Sequence, residues 1–386
     1  MDTITFNEVK QLAGHQGVTA VSLYLPTHFT GEAGLQDAIR LKNLLQRAED
    51  QLEAGGLRRC DAQQLLAPAD ELPASAEFWR KRSQSLAIFL APGLFRAYRL
   101  PAVLKESVTV HRRLHIKPLL TVADRGERFL LLVLGQNHVG FWEVTHSKIT
   151  EVSVRGLPQS KRVALNYDGA DRGEQVHSAM RGSLSSLGKQ AAVFHGQGGV
   201  PDTAKADLEQ FFRMIDRALT PVMGQETAPL LLAGVDYLLP IFRRISSYPH
   251  IAERHLTGNC ESLTGQQLHE RGWEVMRPYF DRPRRHALDR VRELVGSEKA
   301  SADVAQIASA AANGKIDTLL VDPRRDQPGT FNAQSGQATL CDQPASDGED
   351  LVNLAVAETL LHGGGVFAAE PHELPAPGPL AAIFRF

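Results

Sequence analysis

Residues 195–199 read His-Gly-Gln-Gly-Gly, a turn between the apolar run AAVF and a stretch of helical spacing. Glutamine is neither acid nor base near neutral pH, so Gln197 can act only by orienting water or donating a hydrogen bond to an oxyanion. Gly196 and Gly198 allow the backbone to come close to a reacting group. Free N–H groups ahead of a helix start can hold a phosphate or carboxylate. The catalytic candidates are therefore His195, Gly196 and Gln197. The candidates for meeting a phosphate backbone are Gly198, Lys205, Arg282, Arg284 and Arg285. The Gly-x-Gly-x-x-Gly spacing of a dinucleotide fingerprint is missing, and Lys205 is not the Lys-Ser/Thr ending of a phosphate-binding loop. A plain flexible linker is the competing reading of the same turn.

Asp168, Asp171, His177 and His195 offer a second chemistry, a stand-alone metal-dependent or general acid/base hydrolase. Their spacing matches no metal motif, so solvated loop residues are the default and no metal is expected. A serine hydrolase lacks its Gly-x-Ser-x-Gly elbow, and Cys260 near His269 forms no recognisable pair. His111 and His115 flank Arg112 and Arg113, and read as a basic surface strand or hinge. Arg282, Arg284, Arg285, Arg290 and Arg292 form a local positive patch diluted by Asp281, Asp289 and Glu293. Lys161, Arg162, Arg172, Arg181 and Lys189 are likewise interleaved with acids.

The elements that must position these groups follow from periodicity. VTAVSLYL (18–25) reads as a strand closed by Pro26, residues 35–54 as a helix, and SLAIFLAPG with FRAYRLP as a hairpin. PLLTVAD, RFLLLVLGQ, HVGFWEVTH and KITEVSVRG read as four strands of an antiparallel meander. Residues 156–190 read as a long excursion. Leu208, Phe211, Phe212, Ile215 and Leu219 make one helical face, capped by Asp202 or Thr203. PLLLAGV is a buried strand, and Pro240 starts or bends the short element after it. Residues 247–281 read as a polar connection with amphipathic pieces. RPRRHALDRVRELV is a basic helix, and ADVAQIASAAANG, KIDTLLVD, GEDLVNLAVAETLLHGGG, GVFAAE and LAAIFRF give a compact α/β/α sandwich. DPRRDQPGTFNAQSGQATLCDQPASDGED reads as a loop of polar turns. Three domains are expected: 1–115, α+β; 116–250, a middle domain with a mixed sheet; and 251–386, linker helices and the sandwich.

The chain has 386 residues, of which 43% are hydrophobic and 22% charged, as in a globular protein of two or three domains. A formal net charge of −2 gives no overall drive toward a polyanion, so RNA contact has to be local and DNA is not expected. The three cysteines form no Cys-x-x-Cys pair, against structural zinc and disulfides. The N-terminus lacks a secretory pattern and no run approaches a membrane span, so a cytoplasmic location is expected and a membrane is not. No cofactor is expected, and the oligomeric state is left open.

The meander, the long excursion, the Gly-Gln tip and the helix KADLEQFFRMIDRAL together resemble the middle domain of archaeo-eukaryotic peptide-chain release factors and Pelota. The likeness is greatest to bacterial archaeo-eukaryotic release factor family 3. The stretch from GKIDTLLVD to LVNLAVAETLLHGGGVFA is similar to the last domain of those proteins, an L7Ae-like α/β/α sandwich. The resemblance is strongest over 118–235 and 302–386. It implies an α/β and α+β multidomain protein with a release-factor-like middle domain. It also implies a cytoplasmic, translation-associated role with the ribosome, rRNA or peptidyl-tRNA as partner. In the classical release factors a Gly-Gly-Gln tip enters the peptidyl-transferase centre and positions water against the peptidyl-tRNA ester. Gly196 and Gln197 correspond to the second glycine and the glutamine, whereas His195 stands in the place of the first glycine, and Gly198 and Gly199 where small polar residues or alanine are usual. The broken motif weakens ester hydrolysis more than ribosome contact and leaves enzyme status open, with a non-catalytic ribosome or RNA interaction module as the alternative.

Overall fold

The structure, a computed structural model, describes residues 4–28, 32–80, 83–169, 200–341 and 348–385. It divides into two compact units, Met1–Gly126 with Arg282–Phe386, and Glu127–Asp281. The divisions expected at 115/116 and 250/251 thus fall at 126/127 and 281/282, and the two terminal segments share one unit.

The first segment contains α1 (Phe6–Ala13), β1 (Gln16–Pro26), α2 (Glu32–Ala54), α3 (Arg59–Asp70), α4 (Ala76–Arg80), β2 (Ser85–Ala91), β3 (Leu94–Leu100) and β4 (Ser107–Arg113). Helix α1 starts at a capping box in which Thr5 and Glu8 satisfy each other's backbone N–H groups. The strands form an antiparallel sheet ordered β3-β2-β1-β4. Both of its faces are buried. Val21, Leu23 and Leu25 meet Leu41, Leu44 and Leu66 of α2 and α3, while Ala20 and Tyr24 point into the core shared with the last segment.

The middle unit contains β5 (Arg128–Leu134), β6 (Val139–Thr145), β7 (Ile149–Glu151), α5 (Lys161–Gly169), α6 (Val200–Met223), β8 (Leu230–Gly234), α7 (Leu238–Ile245), β9 (Leu256–Thr257) and α8 (Gly265–Phe280). The meander β7-β6-β5 is antiparallel, and β8 and β9 add parallel strands to give a mixed sheet ordered β7-β6-β5-β8-β9. RFLLLVL is apolar throughout because both faces are covered. Leu130, Leu132 and Leu134 face Phe211, Phe212, Ile215 and Phe242 of α6 and α7, whereas Phe129, Leu131 and Val133 face Leu268 and Met276 of α8. The stretch 247–281 is therefore more than a polar connection, since it supplies the helix that covers the second face. Asp202 and Thr203, expected ahead of this helix as its cap, lie within α6.

The last segment contains α9 (Arg282–Leu294), β10 (Ala300–Ser301), α10 (Val304–Ala312), β11 (Ile316–Val321), β12 (Pro328–Asn332), β13 (Gln337–Leu340), β14 (Glu349–Asp350), α11 (Leu351–Leu361), β15 (Gly365–Ala368) and β16 (Leu380–Phe384). A four-stranded sheet ordered β10-β16-β11-β15 has α10 and α11 against Leu319 and Val321, and α9 against Leu320, Ala381 and Ile383. The polar loop expected between β11 and α11 contains a small sheet, β13-β12-β14. From Leu351 to Leu360 every residue of α11 is buried, so this helix is covered on all sides rather than along one stripe. Tyr24 and Phe89 of the first sheet and Val352 and Val356 of α11 lie in the same core, which is why the terminal segments form one unit.

The expected strand PLLTVAD is a 3-10 turn, Lys117–Thr121, with Pro118 near its start. Leu119 and Leu120 are buried in that shared core, which places the stretch with the terminal unit. Among the described residues no helix is long and apolar enough to cross a membrane.

Candidate functional site

His195, Gly196, Gln197, Gly198, Asp171 and His177 lie outside the described residues, and Asp168 lies in the last turn of α5. The structure does describe the two helices that bound residues 170–199. Helix α5 begins where β5 ends: Lys161 N–H donates to Gln136 O at 2.8 Å and Val139 N–H donates to Gln159 O at 2.9 Å. Ser160 Oγ accepts from Val163 N–H at 3.3 Å, which satisfies one donor of the first turn.

Helix α6 packs on the face of the sheet formed by Leu130, Leu132 and Leu134 and is joined to β8 by residues 224–229. Its 24 residues span about 36 Å, against about 17 Å for the 5 residues of β8. Leu208, Phe211, Phe212, Ile215, Leu219 and Met223 are buried on the sheet, while Lys205 and Ala206 are exposed. Among the described side chains of α6, the packed face begins at Leu208. In the sequence, residues 170–199 connect α5 to α6.

The end of the sheet where the parallel strands β5 and β8 terminate is built from close backbone approaches. Gly234 has φ +157°, and a Cβ there would stand 2.4 Å from Leu134 O, so β8 can turn away beside β5 only with glycine. Gln136 Nε2 donates to Tyr237 Oη at 2.5 Å, tying the ends of β5 and β8 together. At the opposite end Glu226 accepts from Ala228 N–H at 3.0 Å, Thr227 N–H at 2.8 Å and Arg128 Nη2 at 2.7 Å. The Ala228 N–H bond chiefly, with Arg128 and Thr227 behind it, holds this carboxyl below its usual value.

The basic residues are drawn largely into local pairs. On α6 and α7, Glu209 takes Arg244 at 2.7 Å and Arg213 at 3.4 Å. On α9, Arg284 pairs with Glu373 at 2.8 Å, Arg290 with Asp317 at 3.6 Å and Arg292 with Asp289 at 3.7 Å. Arg282 and Arg285 also have partners. Lys205 is the exposed cation nearest the 170–199 segment along α6.

A polar constellation that sequence reasoning missed is centred on Lys117, in the terminal unit. The Lys117 ammonium, with a side chain 1% exposed, donates to Arg325 O at 2.6 Å and Asp326 Oδ1 at 2.5 Å and pairs with Asp350 Oδ2 at 2.6 Å. Asn353 Oδ1 accepts from Ile116 N–H and Lys117 N–H at 2.8 and 3.2 Å, and its Nδ2 donates to Leu114 O at 3.0 Å. Arg113 pairs with Glu358 at 2.7 Å. His115, expected on a basic surface strand or hinge, lies inside: burial first, and the Lys117 charge after it, push its imidazole down to about 4. Only the basic run around His111 and His115 hinted at this group.

Residues 128–315 match the family model of bacterial archaeo-eukaryotic release factor family 3. Among solved structures, the chain is similar to that of ribosome-bound archaeal Pelota and ABCE1, at 12% identity, TM-score 0.40, covering 100% of this chain and 95% of that one. It is similar to Archaeoglobus fulgidus Pelota at 9% identity, TM-score 0.36, covering 100% and 94%. It is also similar to the archaeal translation termination factor aRF1 at 13% identity, TM-score 0.25, covering 100% and 99%. No curated protein sequence matches the chain.

Proposed function

From the family-level relation of residues 128–315 to bacterial archaeo-eukaryotic release factor family 3, we propose that this protein is a cytoplasmic, translation-associated release-factor paralogue. It binds stalled ribosomes and brings Gly196 and Gln197 to the peptidyl-tRNA ester. The observation that carries this reading is that the matched region includes α5, α6 and the whole 170–199 segment between them.

In this reading Gln197 holds the attacking water by hydrogen bonding, and Gly196 and Gly198 let the backbone approach the ester. Lys205 meets RNA phosphate, as do those arginines of α9 that exchange their acidic partners. His195, which stands where the classical factors have glycine, changes the approach of the glutamine. Ribosomal RNA supplies the remaining chemistry, so the isolated protein is a weak esterase at most. The layered segment with α10, α11 and α9 on its sheet takes the place of the L7Ae-like domain.

The test is cosedimentation with empty and peptidyl-tRNA-loaded ribosomes, scoring released peptide for wild type and Gln197→Ala. Release that falls at least tenfold in the variant, with sedimentation unchanged, is the expected result. Binding without release by either protein would identify a non-catalytic ribosome-binding module, the reading favoured by His195. No sedimentation with either ribosome would overturn both.

A further inference from the structure

Two residues at the start of the 3-10 turn, His115 and Lys117, reach the same pair of carboxylates. Three oxygens, from Arg325 O, Asp326 and Asp350, surround the Lys117 Nζ at 2.5 to 2.6 Å. Beside them, His115 Nε2 stands 3.8 Å from Asp350 Oδ2. Both imidazole nitrogens of His115 are closed off from solvent and have no hydrogen-bond partner among the described residues. The ligand atoms of His115, Asp326 and Asp350 lie within 4.8 Å of one another.

These groups are held from behind. His115 N–H donates to Ser22 Oγ at 2.8 Å, its carbonyl accepts from Tyr24 Oη at 2.6 Å, and its ring packs edge-on against Tyr24. Asp350 caps α11, accepting from Val352 N–H at 3.2 Å and Asn353 N–H at 3.3 Å, and it also accepts from Gln327 N–H at 3.0 Å. Asp326 is the open side, with a side chain 66% exposed.

The ammonium accounts for the carboxylates but leaves the imidazole unused. A buried polar group with no partner is costly, and neutral imidazole next to two carboxylates is a donor set for a borderline divalent ion. We propose that this pocket is a divalent-metal site held shut by the Lys117 ammonium, and that Zn²⁺ enters by exchange with that ammonium. The metal takes one His115 ring nitrogen, one oxygen each from Asp326 and Asp350, and the Arg325 carbonyl, while Nζ withdraws with its proton. Retaining the ammonium would place two cations in one oxygen cage, so binding and withdrawal are coupled. Asp326 provides the route in. Lys117 therefore sets the affinity by competition.

The experiment titrates Zn²⁺ alone into chelator-stripped full-length protein by calorimetry, with elemental analysis of the desalted product. One ion per chain is expected in wild type. Lys117→Met, which removes the competing charge, should bind at least tenfold tighter. His115→Ala and Asp326→Asn should each bind at least tenfold more weakly. Circular dichroism checks that each variant is folded, and should Lys117→Met fail to fold, the exposed Asp326→Asn carries the comparison with wild type. Absence of stoichiometric zinc from wild type and folded Lys117→Met would overturn the assignment. So would zinc binding that is indifferent to both His115→Ala and Asp326→Asn, since the ion would then sit elsewhere.

Discussion

Asn353 shows how much one side chain can organise. It is buried on α11, and its amide closes three backbone groups of residues 114–117 that would otherwise meet apolar surroundings. Replacing it by alanine leaves two N–H donors and one carbonyl without a partner. At roughly 1–3 kcal/mol for each buried orphan, partly relieved by water, Asn353→Ala should cost about 3 kcal/mol in stability. Urea unfolding measures this as a lower midpoint with unchanged slope. A loss below about 1 kcal/mol would mean that the backbone finds other partners. The same amide sets where Lys117 and His115 begin their reach, so the residues proposed to exchange an ion depend on an uncharged neighbour for their placement.

Among the elements, the mixed sheet of the middle unit depends on the short link between α6 and β8. Glu226 binds two N–H groups of that link and Arg128 at the start of β5. Its folded-state pKa lies below the ordinary value of 4.5. The stability it contributes is therefore fully present above that ordinary value and is lost as pH falls through the depressed one. Glu226→Gln should lower the melting temperature near about pH 7, and the gap from wild type should close as pH falls through the depressed value. A gap independent of pH would show that the carboxylate charge is not what matters.

Elements of this kind were legible where burial has a period. RFLLLVL, the Leu208 to Leu219 stripe and the α10 pattern all lie where their spacing placed them. KPLLT was not legible as a turn, because two buried leucines look alike in a strand and in a 3-10 turn. The strands β12 and β13 were hidden because neither carries an alternating apolar pattern, β12 being mostly half-buried and β13 mostly exposed. For the sites, residue type restricts Gln197 to the hydrogen-bonding role proposed for it. The Lys117 group was not legible, since Lys117 and Asp326 are 209 residues apart and meet only through the fold.

At the scale of the molecule, the chain closes one unit around an insertion. Residues 1–126 and 282–386 enclose a common core, with Tyr24, Phe89, Leu100 and Leu119 on one side and Val352, Val356 and Leu360 on the other. Cutting the chain at the unit boundary should therefore have unequal effects on its pieces. Residues 127–281 have both sheet faces covered by their own helices, and should unfold cooperatively when produced alone. Residues 1–126 have one face of β1 and β2 covered by α2 and α3, but the other exposed once α11 is absent. That fragment should lack a cooperative urea transition and bind a hydrophobic dye, and adding residues 282–386 should restore the transition. Independent folding of 1–126 would instead assign α11 to a separate domain, as in the three-domain division read from the sequence. It would also reduce the Lys117 constellation to a contact between domains, so the fragment experiment decides whether an ion exchanged there can act on the stability of a whole unit.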